Sequence, residues 1–392
     1  MNKRVVIKFG GADLSSGEKI KKAAEMVLGS GYEEVVVVVS AIADTTNNLV
    51  KIMSQIGGLS DQDYAEIVSM GERTSARIFC SALRSIGAEA IYLEPNHNEW
   101  PIITDSNFKD AKPDMEKTCE RVNRYIEPLL GKKIVVVCGF LGRDSEGNIT
   151  TLGRGGSDTT AMILANCLKA NEVILVKETE GVMSADPKVV PDAKPLEKLN
   201  IHEMFALAHG GAKIVKAEAL KYKLPEQKLR IVSFSSNLNS HGTEIVGDFD
   251  PNSFEINEKK GILAISLVAN INSENMNKLF ASLGNNPIFG ISTGKGSLTV
   301  FTSAENPNEL VNRLHGLNIS KALSFRNNVG HIEVTHPVFI DSPGWIAKIS
   351  GVLASRNINI IEITTSKATI NIFIDESKLE DAVKVVRDVL ET

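Results

Sequence analysis

The segment with the most chemical content runs from residue 150 to residue 161, where three glycines surround an arginine and a Ser-Asp pair precedes an apolar stretch. Glycine-rich backbone at the start of a helix exposes N–H groups that attract anions, and the planar guanidinium of Arg154 suits a carboxylate. Ser157 and Asp158 alone are ordinary first-turn residues, a helix cap and an acid. An arginine among glycines has no such ordinary explanation, so the pattern predicts a binding site for anions.

A second candidate is Lys8-Phe9-Gly10-Gly11, which follows an apolar run. The ammonium of Lys8 could neutralise a transferring phosphoryl group while the N–H groups of Gly10 and Gly11 approach its oxygens. A lysine at a strand end is often simply exposed, so the motif alone is a weak signal. The chain has no Gly-x-x-x-x-Gly-Lys-Ser/Thr motif, which disfavours a P-loop enzyme.

Weaker candidates lie at other predicted strand ends and helices. Ser40 and Ala41 follow a run of valines, Thr46 comes six residues after Ser40, and Glu72 lies within a long helical stretch. Open α/β sheets bind ligands at the carboxyl ends of their strands. A capping serine and a solvated glutamate are the ordinary alternatives, and on their own these residues do not decide between the two.

The elements that must position these residues alternate between strand and helix over about the first 240 residues. Val5–Phe9, Val35–Val39, Ile134–Val137 and Val173–Val176 are predicted strands, and Val35–Val39 is an unbroken apolar run, typical of a central strand buried on both faces. Helical spacing predicts a helix from Ser15, capped with Glu18, whose buried face includes Ile20 and Leu28. The alternation predicts an α/β domain with a largely parallel sheet.

From about residue 261 the pattern becomes β-α-β-β-α and occurs twice, in units of roughly 60 residues. The predicted inward residues include Phe280 in the first unit and Ile346 in the second. Ser377 and Glu380 are the predicted capping box of the last helix. Such units form antiparallel sheets with one helical face and commonly pair side by side.

Composition narrows the function classes. A chain of 392 residues predicts two or three domains, and its net charge of −5 argues against a broad nucleic-acid surface. The N-terminal apolar run is too short for a signal peptide or a membrane span, so we expect a cytoplasmic protein. Four scattered cysteines without a Cys-x-x-Cys pair predict reduced, buried thiols.

Taken together, the motifs resemble those of aspartokinases, in the amino-acid kinase superfamily. They occur in order over nearly the whole chain: Lys-Phe-Gly-Gly at 8–11, Ser40-Ala41 with Thr46-Asn47, Ser-x-Gly-Glu at 69–72, Gly139-Phe140-x-Gly142, Thr-Leu-Gly-Arg-Gly-Gly-Ser-Asp at 151–158, Gly-Val-x-x-Ala-Asp-Pro at 181–187, Gly-Ala-Lys at 211–213 and the two C-terminal repeats. The resemblance implies a three-layer αβα kinase domain at 1–245 with a mainly parallel sheet. Two α+β, ferredoxin-like ACT domains would follow at 260–325 and 326–392 and could interleave.

The resemblance also implies a reaction, transfer of the γ-phosphoryl of ATP to the β-carboxylate of aspartate, on the route to lysine, threonine and methionine. Lys8 and Asp158 would act on the phosphoryl group, with Mg²⁺ carried by the ATP phosphates near Asp158. The amino-acid pocket would comprise Ser40, Ala41, Thr46, Glu72, Phe140, Arg154 and Ser157. Nucleotide contacts would come from Lys8, Gly10, Gly11, Lys177, Glu178, Met183, Lys188 and Lys213.

The ACT pair implies a homodimer and an effector site for an amino acid such as lysine or threonine, formed by Asp341, Pro343, Gly344, Trp345 and Asn359. The first repeat lacks an Asp-x-Pro-Gly loop. Lys367 stands where glutamate is usual, which leaves the effector's identity open. The alternative is that the repeats only dimerise the enzyme.

Two segments depart from the family pattern. Ala12-Asp13 replaces Thr-Ser after the glycines, and Lys177-Glu178 replaces Thr-Asp. We expect these changes, together with Met183 in place of tyrosine, to affect nucleotide affinity or preference on the ribose and adenine side. Alternatives are a kinase acting on glutamate, acetylglutamate or a nucleoside monophosphate, and a non-catalytic relic that senses an amino acid.

Overall fold

The computed structural model describes residues 3–210, 214–247, 253–339, 342–366 and 368–391, in two compact units, 1–249 and 250–392. The first unit alternates strands and helices. Its strands are β1 (Arg4–Phe9), β2 (Glu34–Val39), β3 (Ala90–Leu93), β4 (Ile134–Cys138), β5 (Leu141–Arg143), β6 (Ile149–Thr151), β7 (Glu172–Lys177), β8 (Lys198–Asn200), β9 (Lys228–Ser233) and β10 (Thr243–Val246). Its helices are α1 (Gly17–Leu28), α2 (Thr45–Ile56), α3 (Asp61–Ser85), α4 (Met115–Tyr125), α5 (Gly156–Cys167) and α6 (Ile201–His209).

Eight of these strands form one sheet in the order β3-β4-β2-β1-β7-β9-β10-β8. All neighbouring pairs are parallel except β9 and β10, which run antiparallel. The valines of β2 are buried throughout, as expected of a strand covered on both faces. This confirms the predicted mainly parallel sheet and places β1 and β7 side by side at its centre.

Helices cover both faces of the sheet in a three-layer αβα arrangement. Every central strand is therefore buried on both sides. Helices α1 and α2 pack on α3, and α4 packs on α5. The predicted start of α1 is wrong by one residue: Ser16 is the cap, and its side chain accepts a hydrogen bond from the Lys19 N–H. Leu28 was expected to be buried, but it is the last residue of α1 and is 50% exposed.

The expectation of four reduced thiols is wrong for two of them. Cys119 in α4 and Cys167 at the end of α5 form a disulfide, with 4.7 Å between their Cα atoms. Cys80 and Cys138 are free and buried. The two bonded cysteines are 48 residues apart, and only the packing of α4 on α5 brings them together.

The second unit contains the two repeats. The strands are β11 (Glu255–Val268), β12 (Ile288–Gly294), β13 (Ser297–Thr302), β14 (Ala322–Thr335), β15 (Ile360–Ser366) and β16 (Thr369–Asp375). The helices are α7 (Ser273–Leu283), α8 (Pro307–Gly316), α9 (Trp345–Ser355) and α10 (Leu379–Leu390).

One six-stranded antiparallel sheet, β12-β13-β11-β14-β16-β15, joins both repeats. Strands β11 and β14 pair along almost their whole length. The second half of β11 also pairs with β13, and the second half of β14 pairs with β16. Each of these long strands therefore contributes to both halves of the unit.

Three details of the repeats differ from expectation. Phe280 and Ile346 were predicted to face inward but are 41% and 47% exposed, because neighbouring positions on α7 and α9, such as Leu279 and Ile349, fill the cores. The predicted Ser377 cap of α10 is wrong: a 3₁₀ turn precedes the helix, and Asp375 accepts the hydrogen bond from the Ser377 N–H.

Within the described part of the chain, no helix combines the length and the apolar character needed to span a bilayer.

Candidate active site

The carboxyl ends of β1, β2, β4 and β7 lie at one edge of the sheet, since these strands are parallel neighbours. A cavity of about 480 Å³ opens there. It is lined by Lys8, Ser40, Thr46, Asn47, Val50, Tyr64, Glu72, Lys109, Phe140, Gly153, Arg154, Gly155, Gly156, Ser157 and Asp158. Most of the residues predicted to bind the amino-acid substrate therefore face one space, although they come from distant segments.

Asp158 is the electrostatic centre of this cavity. Its Oδ1 lies 2.8 Å from the Nζ of Lys8, and its Oδ2 lies 3.5 Å from the Nζ of Lys177. The backbone N–H of Lys216 also donates to Oδ2, at 3.3 Å. Burial raises the pKa of Asp158, but Lys177 and Lys8 outweigh burial and hold that pKa at about 2. Asp158 is therefore ionised at neutral pH and holds two ammonium groups at once.

Arg154 is presented by two glycines in the left-handed region, Gly153 at φ 69° and Gly155 at φ 72°. Gly155 is also the residue that caps α5, so the loop turns directly into the helix. Arg154 is exposed at the cavity wall and forms no ion pair with any other described residue. Its fork of donors remains available to a carboxylate.

The start of α5 packs closely on the end of β4. A Cβ added to Gly139 would lie 2.7 Å from the Cβ of Ser157, so only glycine allows this approach. The next residue, Phe140, has φ 69°, and its N–H donates to Thr160 Oγ1 at 3.0 Å. A strained non-glycine residue held in place by its surroundings is typical of functional sites. This packing sets the position of Ser157 and Asp158.

Glu72 is a buried carboxylate on α3, only 4% exposed. Its Oε1 accepts a hydrogen bond from the Ala41 N–H at 3.3 Å, and its Oε2 has no partner among the described residues. Burial raises the pKa of Glu72 to about 7, and the Ala41 hydrogen bond only partly opposes that. An incompletely paired buried carboxylate on a cavity wall is suited to a cationic ligand.

The remaining residues of the predicted amino-acid pocket surround Glu72. Ser40 and Thr46 line the cavity, and Ala41 orients Glu72 through its backbone. A Cβ on Gly71 would lie 2.8 Å from the Cβ of Ala41. Gly71 is thus the residue that lets α3 approach the end of β2.

The sequence predicts that the N–H groups of Gly10 and Gly11, just after β1, approach phosphate oxygens. In the structure both glycines make contacts within the protein. The N–H of Gly10 is not free for phosphate, because it donates to Asp13 Oδ2 at 2.9 Å. Gly11 packs against the Ala41 backbone, where an added Cβ would lie 2.6 Å from the carbonyl oxygen. Asp13 is buried, and its Oδ1 has no partner among the described residues.

The residues predicted to contact nucleotide fall into two groups. Lys8 and Lys177 lie beside Asp158, and the others that the structure describes after β7 are Glu178, Met183 and Lys188. Lys177 lies against Asp158, at the same end of the site as Lys8, and not apart from it on a ribose and adenine side. Glu178 is exposed and lies 3.9 Å from Lys19. Met183 and Lys188 are on the loop after β7, where Lys188 is exposed. Lys213 lies outside the described residues.

Sequence reasoning missed several lining residues, among them Val50, Tyr64 and Lys109. The Nζ of Lys109 lies 5.2 Å from the centre of the Tyr64 ring. No local signal marks these residues: Val50 lies on α2, Tyr64 on α3 and Lys109 on the segment between β3 and α4, and only the fold brings them to one cavity. A second cleft of about 450 Å³ shares Arg154 and is also lined by Asp110 and Lys216. In the sequence, the only indication that Lys216 belongs to the site is its position three residues after the Gly-Ala-Lys motif.

The predicted effector residues lie in the second unit. Gly344 precedes α9 at φ 99°, Pro343 is exposed beside it, and Asn359 is exposed just before β15. Trp345 packs into an aromatic cluster, with its ring centre 5.4 Å from that of Phe254. Asp341 and Lys367 lie outside the described residues.

Comparison with known proteins identifies the family of this chain. Residues 3–233 match the sequence model of the amino acid kinase family, and residues 326–388 match an ACT domain. An aspartate kinase of Stutzerimonas stutzeri is 30% identical, covering 99% of this chain and 97% of its own. The aspartokinase of Pseudomonas aeruginosa is also 30% identical, with the same coverage.

Solved structures share the fold. The aspartate kinase from Synechocystis has a TM-score of 0.72 at 24% identity, over 99% of this chain and 70% of its own. E. coli aspartokinase III in complex with aspartate and ADP has a TM-score of 0.59 at 22% identity, over 100% of both chains. At these identities the likeness concerns the fold alone.

Proposed function

The chain belongs to the amino acid kinase family, among its aspartokinases, and we propose that it transfers the γ-phosphoryl group of ATP to the β-carboxylate of L-aspartate. The product is 4-phospho-L-aspartate, an acyl phosphate. The support comes from the family and from the charges around the 480 Å³ cavity.

The observation that carries this proposal is the buried carboxylate of Glu72 on the same cavity as Arg154 and the Lys8–Asp158 pair. Aspartate presents an ammonium, an α-carboxylate and a β-carboxylate. Glu72 would accept the ammonium, Arg154 would bind the α-carboxylate, and the β-carboxylate would point towards Lys8. An acetylated amine carries no positive charge, so Glu72 favours a free amino acid over acetylglutamate.

The reaction makes modest demands on the protein. An oxygen of the β-carboxylate forms a bond to the γ-phosphorus while the bond to the β–γ bridging oxygen breaks, and ADP leaves. No general base is required, because an aspartate carboxylate with an ordinary pKa of about 3.9 is already ionised at neutral pH. The main obstacle is repulsion between two anions, which Lys8, Lys177 and the start of α5 would offset.

Mg²⁺ is expected to enter this site with the nucleotide. Among the described residues, no group of three metal-ligating side chains comes together, so the phosphates would supply most ligands and Asp158 would be the nearest ionised carboxylate. When bound, the metal would neutralise charge on the phosphate oxygens. Asp158 and the two lysines would orient the phosphoryl group.

Trapping of the product tests the reaction. The purified chain is incubated with ATP, Mg²⁺ and hydroxylamine, with aspartate, glutamate, acetylglutamate or UMP as acceptor. We expect aspartyl hydroxamate and ADP from the wild type, and neither from Lys8→Ala or Asp158→Ala. Lys132→Ala, an exposed lysine in the same unit, is the matched control. Activity with another acceptor but not aspartate would change the substrate, and no activity with any acceptor would favour the non-catalytic sensor.

We infer further that the second unit consists of two ACT domains, at 260–325 and 326–392, that regulate the enzyme and join two chains into a homodimer. Strands β11 and β14 contribute to both halves, which supports interleaved domains.

The expected effector is lysine or threonine, bound near Pro343, Gly344 and Asn359. Titration of the full chain with each amino acid should give inhibition that Asn359→Ala weakens, and sedimentation should give a dimer. Lack of any inhibition would leave the unit a dimerisation device.

A further inference from the structure

We propose that Asp13 and Lys177 form a charge-matched pair in which Lys177 is a second ammonium for the nucleotide phosphates and Asp13 offsets its charge. The inference rests on the proposed kinase function. It concerns the two segments in which this chain departs from the family pattern, and it makes those departures a single compensated change.

Lys177 is placed to share the phosphate site with Lys8. Both residues are at the carboxyl ends of adjacent parallel strands, since β1 pairs with β7 and Lys8 lies opposite Leu175. Asp158 contacts Lys8 with one carboxylate oxygen and Lys177 with the other. The side chain of Lys177 is 20% exposed, so it is only partly shielded from solvent.

A single carboxylate cannot neutralise two ammonium groups. With Asp158 alone, the cluster would carry one excess positive charge in a buried place, which is unfavourable in the empty enzyme. Asp13 supplies the missing negative charge. It is 2% exposed, it accepts the Gly10 N–H, and a Cβ on Gly10 would lie 3.2 Å from Asp13 Oδ2 and 3.8 Å from Lys8 Nζ.

Asp13 and Lys177 also influence each other's pKa. Burial raises the pKa of Asp13, and the Gly10 N–H, Lys8 and Lys177 only partly oppose that rise. Burial lowers the pKa of Lys177 to about 8, and both Asp158 and Asp13 act against that. With Asp13 ionised, the four groups together carry two positive and two negative charges. A polyphosphate that enters would meet two ammonium groups already held in position.

Binding of a nucleotide series to the full chain tests the role of Lys177. Calorimetry with Mg·ATP, Mg·ADP, AMP and adenosine is compared for the wild type and Lys177→Met. We expect about tenfold weaker binding of ATP and ADP and unchanged binding of adenosine, because only the phosphates meet the ammonium. Equal losses for all four ligands would place Lys177 at the ribose or base and overturn the proposal. Lys177→Arg, which keeps the charge, should bind ADP as the wild type does.

A double-mutant cycle tests the pairing. Asp13→Asn leaves an excess positive charge and should tighten ADP binding severalfold, whereas Lys177→Met weakens it. The double variant restores neutrality and should return to within about threefold of the wild type. If the double variant shows instead only a loss of the size seen in Lys177→Met, the two residues do not compensate each other. Glu274→Gln with Lys278→Met removes an exposed acid–lysine pair on α7 and is the matched control.

These measurements need no aspartate. If ADP binding follows the cycle but no aspartyl hydroxamate is formed, the proposed reaction fails and the charge pair stands. If hydroxamate is formed but the Lys177 and Asp13 variants bind ADP as the wild type does, the charge pair fails and the reaction stands.

Discussion

The carboxylate of Asp158 and the ammonium of Lys8 form a buried ion pair of 2.8 Å between the first turn of α5 and the end of β1. A buried pair is costly to desolvate and contributes little net stability, so its presence at a cavity wall indicates a functional demand. In the proposed reaction, these fixed charges would face an anion. The predictions below examine the groups that complete this site.

Glu72→Gln should raise the KM for aspartate at pH 8 by about tenfold or more, because the amide retains the shape but not the charge that pairs with the substrate ammonium. In the wild type the KM should rise as the pH falls below about 7, where Glu72 becomes protonated. Initial-rate measurements between pH 6 and 9 check both points. A pH profile of the variant that matches the wild type would remove Glu72 from the substrate site.

Because of Glu72, the free energy of unfolding should also decrease as the pH rises. Its pKa is about 7 in the folded protein and 4.5 ordinarily, so between these values the folded state binds more protons than the unfolded state. The free energy of unfolding therefore declines through this interval, by roughly 3 kcal/mol in total. Glu72→Gln should lack that decline in urea unfolding at pH 5 and pH 8. Glu66→Gln, at an exposed position on the same helix, should behave as the wild type.

Arg154→Ala should raise the KM for aspartate sharply, since loss of a bidentate charge-assisted pair costs roughly 2–3 kcal/mol, or about 30- to 150-fold. The KM of Arg154→Lys for aspartate should lie between those of the wild type and Arg154→Ala, because an ammonium keeps the charge but lacks the planar fork. Steady-state kinetics with aspartate as the varied substrate give the comparison. Arg124→Ala, at an exposed position on α4, is the control, and an Arg154→Ala enzyme with wild-type KM would contradict the assignment.

Gly139→Ala should reduce kcat by about 100-fold, because the new methyl group would lie 2.7 Å from the Cβ of Ser157 and displace the start of α5. Gly17→Ala makes the same change where no atom lies within 4 Å, and it should leave kcat unaltered. Circular dichroism confirms that both variants are folded. Equal activity of the two variants would show that the contact between β4 and α5 does not position the site.

The Cys119–Cys167 disulfide should leave two titratable thiols, those of Cys80 and Cys138, in denaturant without reductant, and four after reduction. Cys119→Ser should lower the free energy of unfolding by about 2–4 kcal/mol, since the bond closes a long loop in the unfolded chain. A thiol count of four before reduction would exclude the bond. Cys80→Ser, which should reduce the unreduced count to one, is the control.

Much of the fold and of the proposed site could be predicted from local pattern. Apolar runs such as Val35–Val39 specify buried strands wherever they occur, because side-chain burial on both faces requires no knowledge of the partner strand. The glycines around Arg154 likewise predict an anion site from residues adjacent in the chain. The order of strands and helices within the two repeats could be predicted from the spacing of their apolar residues, and the elements from β11 to α10 follow that order.

Tertiary structure alone decided what depends on distant segments. Asp158 meets Lys8 and Lys177 because three separate stretches end at one sheet edge, and Cys119 meets Cys167 because α4 packs on α5. The amino-acid sequence determined which chemical groups were present and which elements carried them. Their distances, burial and pairing came from long-range packing, because a charge acquires its strength only from the neighbours and the dielectric that the folded chain places around it.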